Sequence, residues 1–461
     1  MDTFEFALDK TSAVPLYRQI GEAVLSLIEN GAIAPDTKLP TIRRFAESLN
    51  VNAVTIVNAY RYLENRRAVY SITGSGIYAA DLGVSETAVG PAILTREKKD
   101  NPEATIDFSK ASISNELFPV REFKSLFNEV LDRDKGDAFE YEEIRGYRPL
   151  REAFCEYMAR FGLKPLADRV HVISGAQQGI DIASKTLLKT GDAVIIESPT
   201  YLGAMASFYS RGASVYEIPM RSGGVDIETL TALVRKFKPK LFYCMPYFQT
   251  PTCYSYSLEN KRALLELAYK YNFYILEEDN QSDFNYREEA IVPIKALDYR
   301  NKVIYLKSFS KLLMPGLRIG FMLLPKSISQ AALAAKQTSD IDTSGFLQRA
   351  FHLFLEKGMF YEHAKKMRNI FEIRYNHTLN ALNRNLKGLL GYSEPGGGLN
   401  FWLSLPPGKE SFFDKLSAAG VSVSEGSMFS FEQNLPFFRI SFADIAPADI
   451  DAGIEIIGRC L

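Results

Sequence analysis

The sequence predicts an α/β chain in two parts. A small helix-turn-helix unit with a β wing comes first, then a linker, then a larger α/β domain on a mostly parallel sheet. Three observations carry this expectation. Residues 38–80 hold two short helical stretches around a tight turn, followed by two β runs about a Gly-Ser-Gly. Residues 81–104 lose all sustained periodicity. From about residue 105, strand-like runs alternate with helical ones, the pattern of a parallel sheet with crossover helices. At 461 residues the chain also exceeds a single typical core.

The first helix is read from VPLYRQIGEAVLSLIENGAI, which sets Leu16, Ile20, Val24, Leu27 and Ile28 on one stripe before Gly31. Thr41 is placed to cap a second helix through Leu49, and Asn52 a third running to about Arg66. VYSITGSGIYAA then reads as a hairpin around Gly74, Ser75 and Gly76. Between Lys38 and Ala80 six basic residues stand against two glutamates, a net charge of +4 in a chain whose overall net charge is −1. Such a face can neutralise phosphates and release counterions. The expected DNA-contacting residues are Thr41, Arg43, Arg44, Asn52, Thr55, Asn58, Gly74, Ser75 and Gly76, and the expected partner is a double-stranded DNA operator. The expected boundaries are 1–80 for this unit, 81–104 for the linker and 105–461 for the second domain. The latter divides into a large part at about 150–325 and a small part at about 335–461.

The composition narrows the function classes. Apolar residues make up 46% and charged residues 24%, ordinary values for a globular protein. No apolar run is long enough to span a bilayer, so no membrane is expected. The acidic start, MDTFEFALDK, lacks a signal peptide's apolar stretch. Four scattered cysteines fit a reducing compartment, and the expected location is the cytoplasm. The four histidines have no metal-site spacing, so no metal is expected.

In a parallel sheet, ligands sit beyond the carboxyl ends of the strands, and the polar motifs of the second domain fall there. Ser174-Gly175-Ala176-Gln177-Gln178 is a small-residue turn opening a helix, and its free N–H groups suit a phosphate. Ser308, Ser310 and Arg318 offer further donors to the same anion. Lys311 lies among them, and burial together with cationic Arg318 would lower its pKa and make it a competent amine for a Schiff base. Asp279 can hold a proton on a ring nitrogen, and Tyr201 can stack on a flat ring. Each feature alone is ordinary. An aldehyde on an aromatic ring, a ring nitrogen and a phosphate together describe pyridoxal 5′-phosphate (PLP).

The order GAQQ, SPTY, PYFQTPT, EEDN, SFSKLLMPGLRIGF resembles the fold-type I, aspartate aminotransferase-like PLP enzymes. PLYRQI, LPTIRRFA and GSGIY resemble the GntR winged helix-turn-helix family, and the fusion resembles the MocR subfamily of transcription regulators. The resemblance spans nearly the whole chain. It implies that Lys311 carries PLP, that Gly175, Ala176, Gln177, Ser308, Ser310 and Arg318 surround its phosphate, and that Tyr201 lies near the ring face. It implies further that Arg439, in FFRISFAD, grips an effector's carboxylate, a task suited to a planar guanidinium fork. A homodimer is implied as well.

The sequence departs from the family pattern in three places. The family's E-D-D-Y reads EEDNQSDFNY, so Gln281 or Asn280 stands where the Tyr belongs, and Asp279 or Glu278 stands for the ring-nitrogen carboxylate. Asp279 is the expectation, because Asp is the family's residue. The P-T-G turn reads Pro251-Thr252-Cys253, preceded by Thr250 rather than Asn. Ala53 replaces a basic residue after the helix cap. The first two changes weaken tuning of the ring more than anchoring, which suits a sensor. The expectation is a PLP-dependent regulator that senses a small amino compound as it exchanges onto the aldehyde at Lys311, rather than an enzyme. The alternatives are an active aminotransferase with an appended DNA-binding unit, or a regulator of vitamin B6 synthesis whose effector is PLP itself.

Overall fold

The structure is a computed structural model. It describes residues 8, 12, 14–29, 32–34, 36–66, 68–72, 75–80, 105–110, 112–287, 289–409, 411–431 and 435–461. Gly31, Gly74 and the expected linker 81–104 lie outside the described residues. The chain divides into two compact units, Met1–Ala92 and Ile93–Leu461.

In the first unit, α1 (Leu16–Glu29) packs its apolar stripe against α3 (Ala53–Asn65), with α2 (Ile42–Ser48) between them in sequence. Ile20, Val24, Phe45, Ile56 and Leu63 form the buried core. The Thr41 hydroxyl accepts from the Arg44 N–H at 3.4 Å and starts α2. The Asn52 side chain accepts from the Val54 N–H at 2.9 Å and starts α3. Between the helices Asn50 takes the left-handed conformation, φ +47°, which Asn tolerates better than most residues. Strands β1 (Val69–Ile72) and β2 (Gly76–Ala79) pair antiparallel as the wing.

The second unit opens with β3 (Ile106–Asp107), parallel to a short strand at Val421–Ser422. Its main sheet has eight strands: β4 (Val170–Ile173), β5 (Ala193–Ser198), β6 (Ser214–Arg221), β7 (Gly224–Val225), β8 (Leu241–Cys244), β9 (Tyr274–Asp279), β10 (Val303–Ser308) and β11 (Gly320–Leu323). Their spatial order is β4-β11-β10-β9-β8-β5-β6-β7. Strands β10, β9, β8, β5 and β6 run parallel to their neighbours in that series, whereas β11 is antiparallel to both β10 and β4. The central strands are buried along their length and rich in Val, Ile and Leu, as a sheet covered on both faces requires. A four-stranded antiparallel sheet lies nearer the C-terminus. Its strands are β12 (Gly391–Tyr392), β13 (Asn400–Ser404), β15 (Ser424–Glu425) and β16 (Phe437–Ser441), with Val421–Ser422 counted as β14.

No helix among the described residues is long and apolar enough to cross a membrane. Among the same residues no cluster of three or more His, Cys, Asp or Glu could hold a metal ion.

Candidate functional site

The carboxyl ends of β4 and β10, and the start of β11, meet at one edge of the sheet. Gly320 pairs with Ile173 on one side and with Ser308 on the other. That register brings the Ser174–Gly175 turn beside the Ser308–Ser310 turn. Gly175 has φ +85° and ψ 170°, a conformation open essentially to glycine alone. A Cβ there would lie 2.5 Å from the Arg318 Nη2. Arg318 in turn donates to the Ser174 carbonyl at 2.7 Å. Ala176 begins the helix Ala176–Leu187, whose first N–H groups face the turn. The Ser308 and Ser310 hydroxyls lie 3.3 Å apart. Gly175, Ala176, Ser308, Ser310 and Arg318 thus meet at one corner lined by N–H, hydroxyl and guanidinium donors.

Gln177 belongs to this corner only through its backbone. Its side-chain amide donates to the Gly203 carbonyl and the Ser207 hydroxyl, both at 2.9 Å. Its side-chain oxygen accepts from the Tyr201 hydroxyl at 3.0 Å, which fixes the 39% exposed Tyr201 ring.

Lys311 is half-buried one turn beyond β10. Burial lowers its ammonium to about 8, and the Arg439 charge adds to the effect while Glu278 opposes it. The neighbouring cation is therefore Arg439, not Arg318 as the sequence suggested.

Asp279 does not face this site. Side chains alternate across a strand, and in β9 Glu277 and Asp279 share one face while Glu278 takes the other. Asp279 is wholly buried, and its carboxylate accepts from Lys307 Nζ at 3.2 Å, Ser282 Oγ at 2.7 Å and Tyr305 Oη at 2.6 Å. Lys307 also pairs with Asp283 at 2.8 Å. Burial alone would lower Lys307, but the two aspartates overcome it and hold the ammonium well above its ordinary value. Asp279 is therefore a structural counter-ion, and the expectation for it is corrected. The carboxylate electrostatically coupled to Lys311 is Glu278. It accepts from the Tyr243 hydroxyl at 2.5 Å and from the Asn280 amide at 3.3 Å. Burial pushes the Glu278 carboxyl up, while those hydrogen bonds and the Lys311 charge pull it back.

The choice between Gln281 and Asn280 resolves the same way. Gln281 is buried and fully used, donating to Phe248 O at 2.7 Å and Thr250 Oγ1 at 3.0 Å and accepting from Leu399 N at 3.0 Å. Asn280 lies beside Glu278, and its side-chain oxygen is buried without a hydrogen-bond partner among the described residues. At the second departure, Cys253 adopts φ +54°, the conformation that explains why a glycine would suit that turn.

Arg439 sits in β16, an inner strand flanked by β13 and β15, not on an edge. It is 5% exposed, and burial lowers its pKa to about 10. Nη2 donates to Ser109 O at 2.6 Å and Ser424 Oγ at 2.9 Å, while the guanidinium lies 5.1 Å from the Phe429 ring centre. Its Nε is buried without a hydrogen-bond partner among the described residues. A buried donor left unpaired costs free energy unless a ligand satisfies it.

In the first unit Arg43 is 91% exposed at its side chain and pairs with Glu47 at 3.3 Å across one helical turn. Arg44, Asn52 and Asn58 are exposed, and Thr55 is half-buried. Ser75 and Gly76 stand at the wing turn, Gly76 with φ +135°. The sequence reading passed over Val54, which is 63% exposed at the start of α3. Helical spacing from buried Ile56 could have marked it.

A winged helix-turn-helix joined to an α/β domain, with a lysine beside a donor-lined corner at the strand ends and a buried arginine in the smaller sheet, defines a DNA-binding protein with an aminotransferase-type second domain. The pattern of the family "Aminotransferase class I and II" matches residues 112–457, and that of "Bacterial regulatory proteins, gntR family" matches residues 16–78. The chain belongs to the class I and II aminotransferase family and has the MocR-type architecture, a GntR unit fused to an aminotransferase domain. It is 27% identical to the HTH-type transcriptional regulator YdfD of Bacillus subtilis, over 97% of each chain. It is 28% identical to the probable rhizopine catabolism regulatory protein MocR of Rhizobium meliloti, over 85% of this chain and 82% of that one. Among solved structures it resembles the α-aminoadipate aminotransferase LysN of Thermus thermophilus, determined with N-(5′-phosphopyridoxyl)-L-leucine. The TM-score is 0.72 at 28% identity, covering 78% of this chain and 92% of that one.

Proposed function

We propose that this protein is a transcription regulator that holds PLP at Lys311 and reads a small amino compound through it. The single observation that carries the reading is the grouping of Lys311, Arg439 and Glu278 beside a glycine-built anion corner. The residues fit the cofactor. Gly175 leaves room for Arg318, and the turn's N–H groups, Ser308 and Ser310 complete a phosphate cradle. With PLP bound, Glu278 would supply the charge for the ring nitrogen, Asn280 would serve the ring oxygen and Tyr201 would cover a ring face. When bound, PLP supplies an aldehyde that amines can capture.

The chain's own residues do the rest. With its amine near pKa 8, Lys311 is partly neutral at physiological pH and so nucleophilic. Arg439, itself buried and with an Nε that has no hydrogen-bond partner among the described residues, receives the effector's carboxylate. An effector that binds two domain arrangements unequally then shifts DNA occupancy by that difference. We read the assembly as a cytoplasmic homodimer, a reading supported by the exposed aromatic residues Phe139 and Tyr141.

A spectral titration with a panel of amino acids, paired with DNA-binding assays on the same samples, tests the reading. Effector-dependent change in both supports it. DNA binding that responds to PLP alone would point instead to PLP as effector. The likeness to LysN favours a second reading, an active aminotransferase, and turnover of an amino acid with a 2-oxo acid at enzyme-like rates would establish that one.

A further inference from the structure

The outward face of α3 is unusual for a helix that enters DNA. Its N-terminal residues are the ones that reach base edges when a helix-turn-helix docks in the major groove. Here the Asn52 side chain is taken up by capping Val54 N, and Thr55 is half-buried. Ile56 is wholly buried. What remains outward is Ala53, Val54, Asn58 and Arg61, all exposed. Val54, Asn58 and Arg61 follow one another at intervals of four and three, so they form one stripe. Val54 leaves 63% of its surface in water, within the segment 38–80, whose net charge is +4. Within α3 itself no basic residue precedes Arg61, so its first two turns carry no side chain suited to guanine.

We propose that Val54, with Ala53, reads the C5-methyl group of a thymine in the major groove, and that Asn58 reads an adenine about two base steps away. The proposal rests on the DNA-binding reading above. Methyl groups are what apolar side chains can recognise there, and the Asn amide matches the paired donor and acceptor of adenine. The 1.5 Å rise per helical residue sets Val54 and Asn58 about 6 Å apart along the axis, close to two base-pair steps. Arg61, further along the same stripe, falls toward the phosphate backbone. The expected half-site is thus A·T-rich at the positions facing the front of α3.

The test uses the full chain and a pool of randomised duplexes. Sequences retained by the wild type are compared with those retained by Val54→Ser and Asn58→Ala. The best wild-type duplex is then remade with uracil for each thymine in turn, which deletes only the methyl group. One uracil position is expected to weaken wild-type binding by about fourfold. The same replacement should leave Val54→Ser unaffected, and Asn58→Ala should lose adenine preference nearby by on the order of tenfold. Retained sequences without a fixed thymine, or uracil duplexes bound equally well by the wild type, would overturn the proposal while leaving DNA binding itself intact. Failure to retain any duplex would remove the DNA-binding reading and this proposal with it. Because Val54 is exposed and outside the core, a folding defect is not expected, and the thermal midpoint of each variant checks that point.

Discussion

Lys307 Nζ lies 3.2 Å from Asp279, and that pairing assigns the carboxylates at the end of β9 to different tasks. Asp279 neutralises a wholly buried ammonium on one face of the sheet. Glu278, one residue earlier, faces Lys311 on the other. The two carboxylates should therefore respond to mutation in different currencies.

Glu278→Gln should leave folding nearly unchanged and raise the apparent dissociation constant for PLP roughly tenfold to a hundredfold, the range for losing a hydrogen bond to a charged group. The absorption spectrum of the bound cofactor should change with it. Asp279→Asn should instead destabilise the fold by about 1–3 kcal/mol, because the buried Lys307 keeps Asp283 but loses one of its two counter-ions. Thermal unfolding and PLP titration of both variants check this. A large PLP defect in Asp279→Asn without loss of stability would return the ring-nitrogen role to Asp279.

Lys311 should capture PLP with a pH dependence set by its own amine. Its neutral fraction rises through about pH 8 rather than 10.5, so the capture rate should climb to half its maximum near pH 8. The same shift acts on folding. Between about 8 and 10.5 the unfolded chain holds the proton and the folded chain does not, so stability should rise with pH across that window. Borohydride should fix PLP on Lys311, and Lys311→Ala should abolish the fixed product. Survival of the product in that variant would move the attachment point.

Gly175→Ala should weaken PLP binding without touching Lys311. The added methyl meets Arg318 Nη2 at 2.5 Å, and the backbone at φ +85° is strained for any L side chain. A cost of about 1–3 kcal/mol is expected. Equal affinity for inorganic phosphate in variant and wild type would contradict the cradle.

Arg439→Ala should keep PLP and lose the effector. Capture of a carboxylate-bearing amino compound should fall roughly a hundredfold, as for losing a charge-assisted pair. Arg439→Lys should not rescue it, since a lysine has no fork. If both variants bind the effector as the wild type does, the effector carries no carboxylate at this place.

Arg43→Ala should weaken DNA binding across all sequences and flatten the salt slope by about one unit. Its pairing with Glu47 is exposed and offers little resistance to release. A slope that stays unchanged would place Arg43 away from the phosphates.

Much of this was legible in the residues. The caps Thr41 and Asn52 are local hydrogen-bonding features, and the strand-end motifs need only the rule that ligands collect there. Asp279 was misplaced because the choice between adjacent carboxylates depends on which face each presents, and that is fixed by pairing with Lys307 and Tyr305 on the neighbouring strand. The cation beside Lys311 was misassigned for a similar reason, since Arg439 reaches it from a different sheet. Val54 escaped notice because its meaning lies in exposure, which tertiary packing decides.

Strand β11 runs against its two neighbours, and this has a consequence for the order of events during synthesis. It joins the tip of β10 to the tip of β4, so the Ser174 carbonyl meets Arg318 across 144 residues of chain. No partial product ending before residue 318 contains both sides of this contact. Cofactor loading should therefore be a late event, open only to chains whose sheet has already closed. A pool short of PLP would then leave behind complete, folded but unloaded copies rather than stalled fragments.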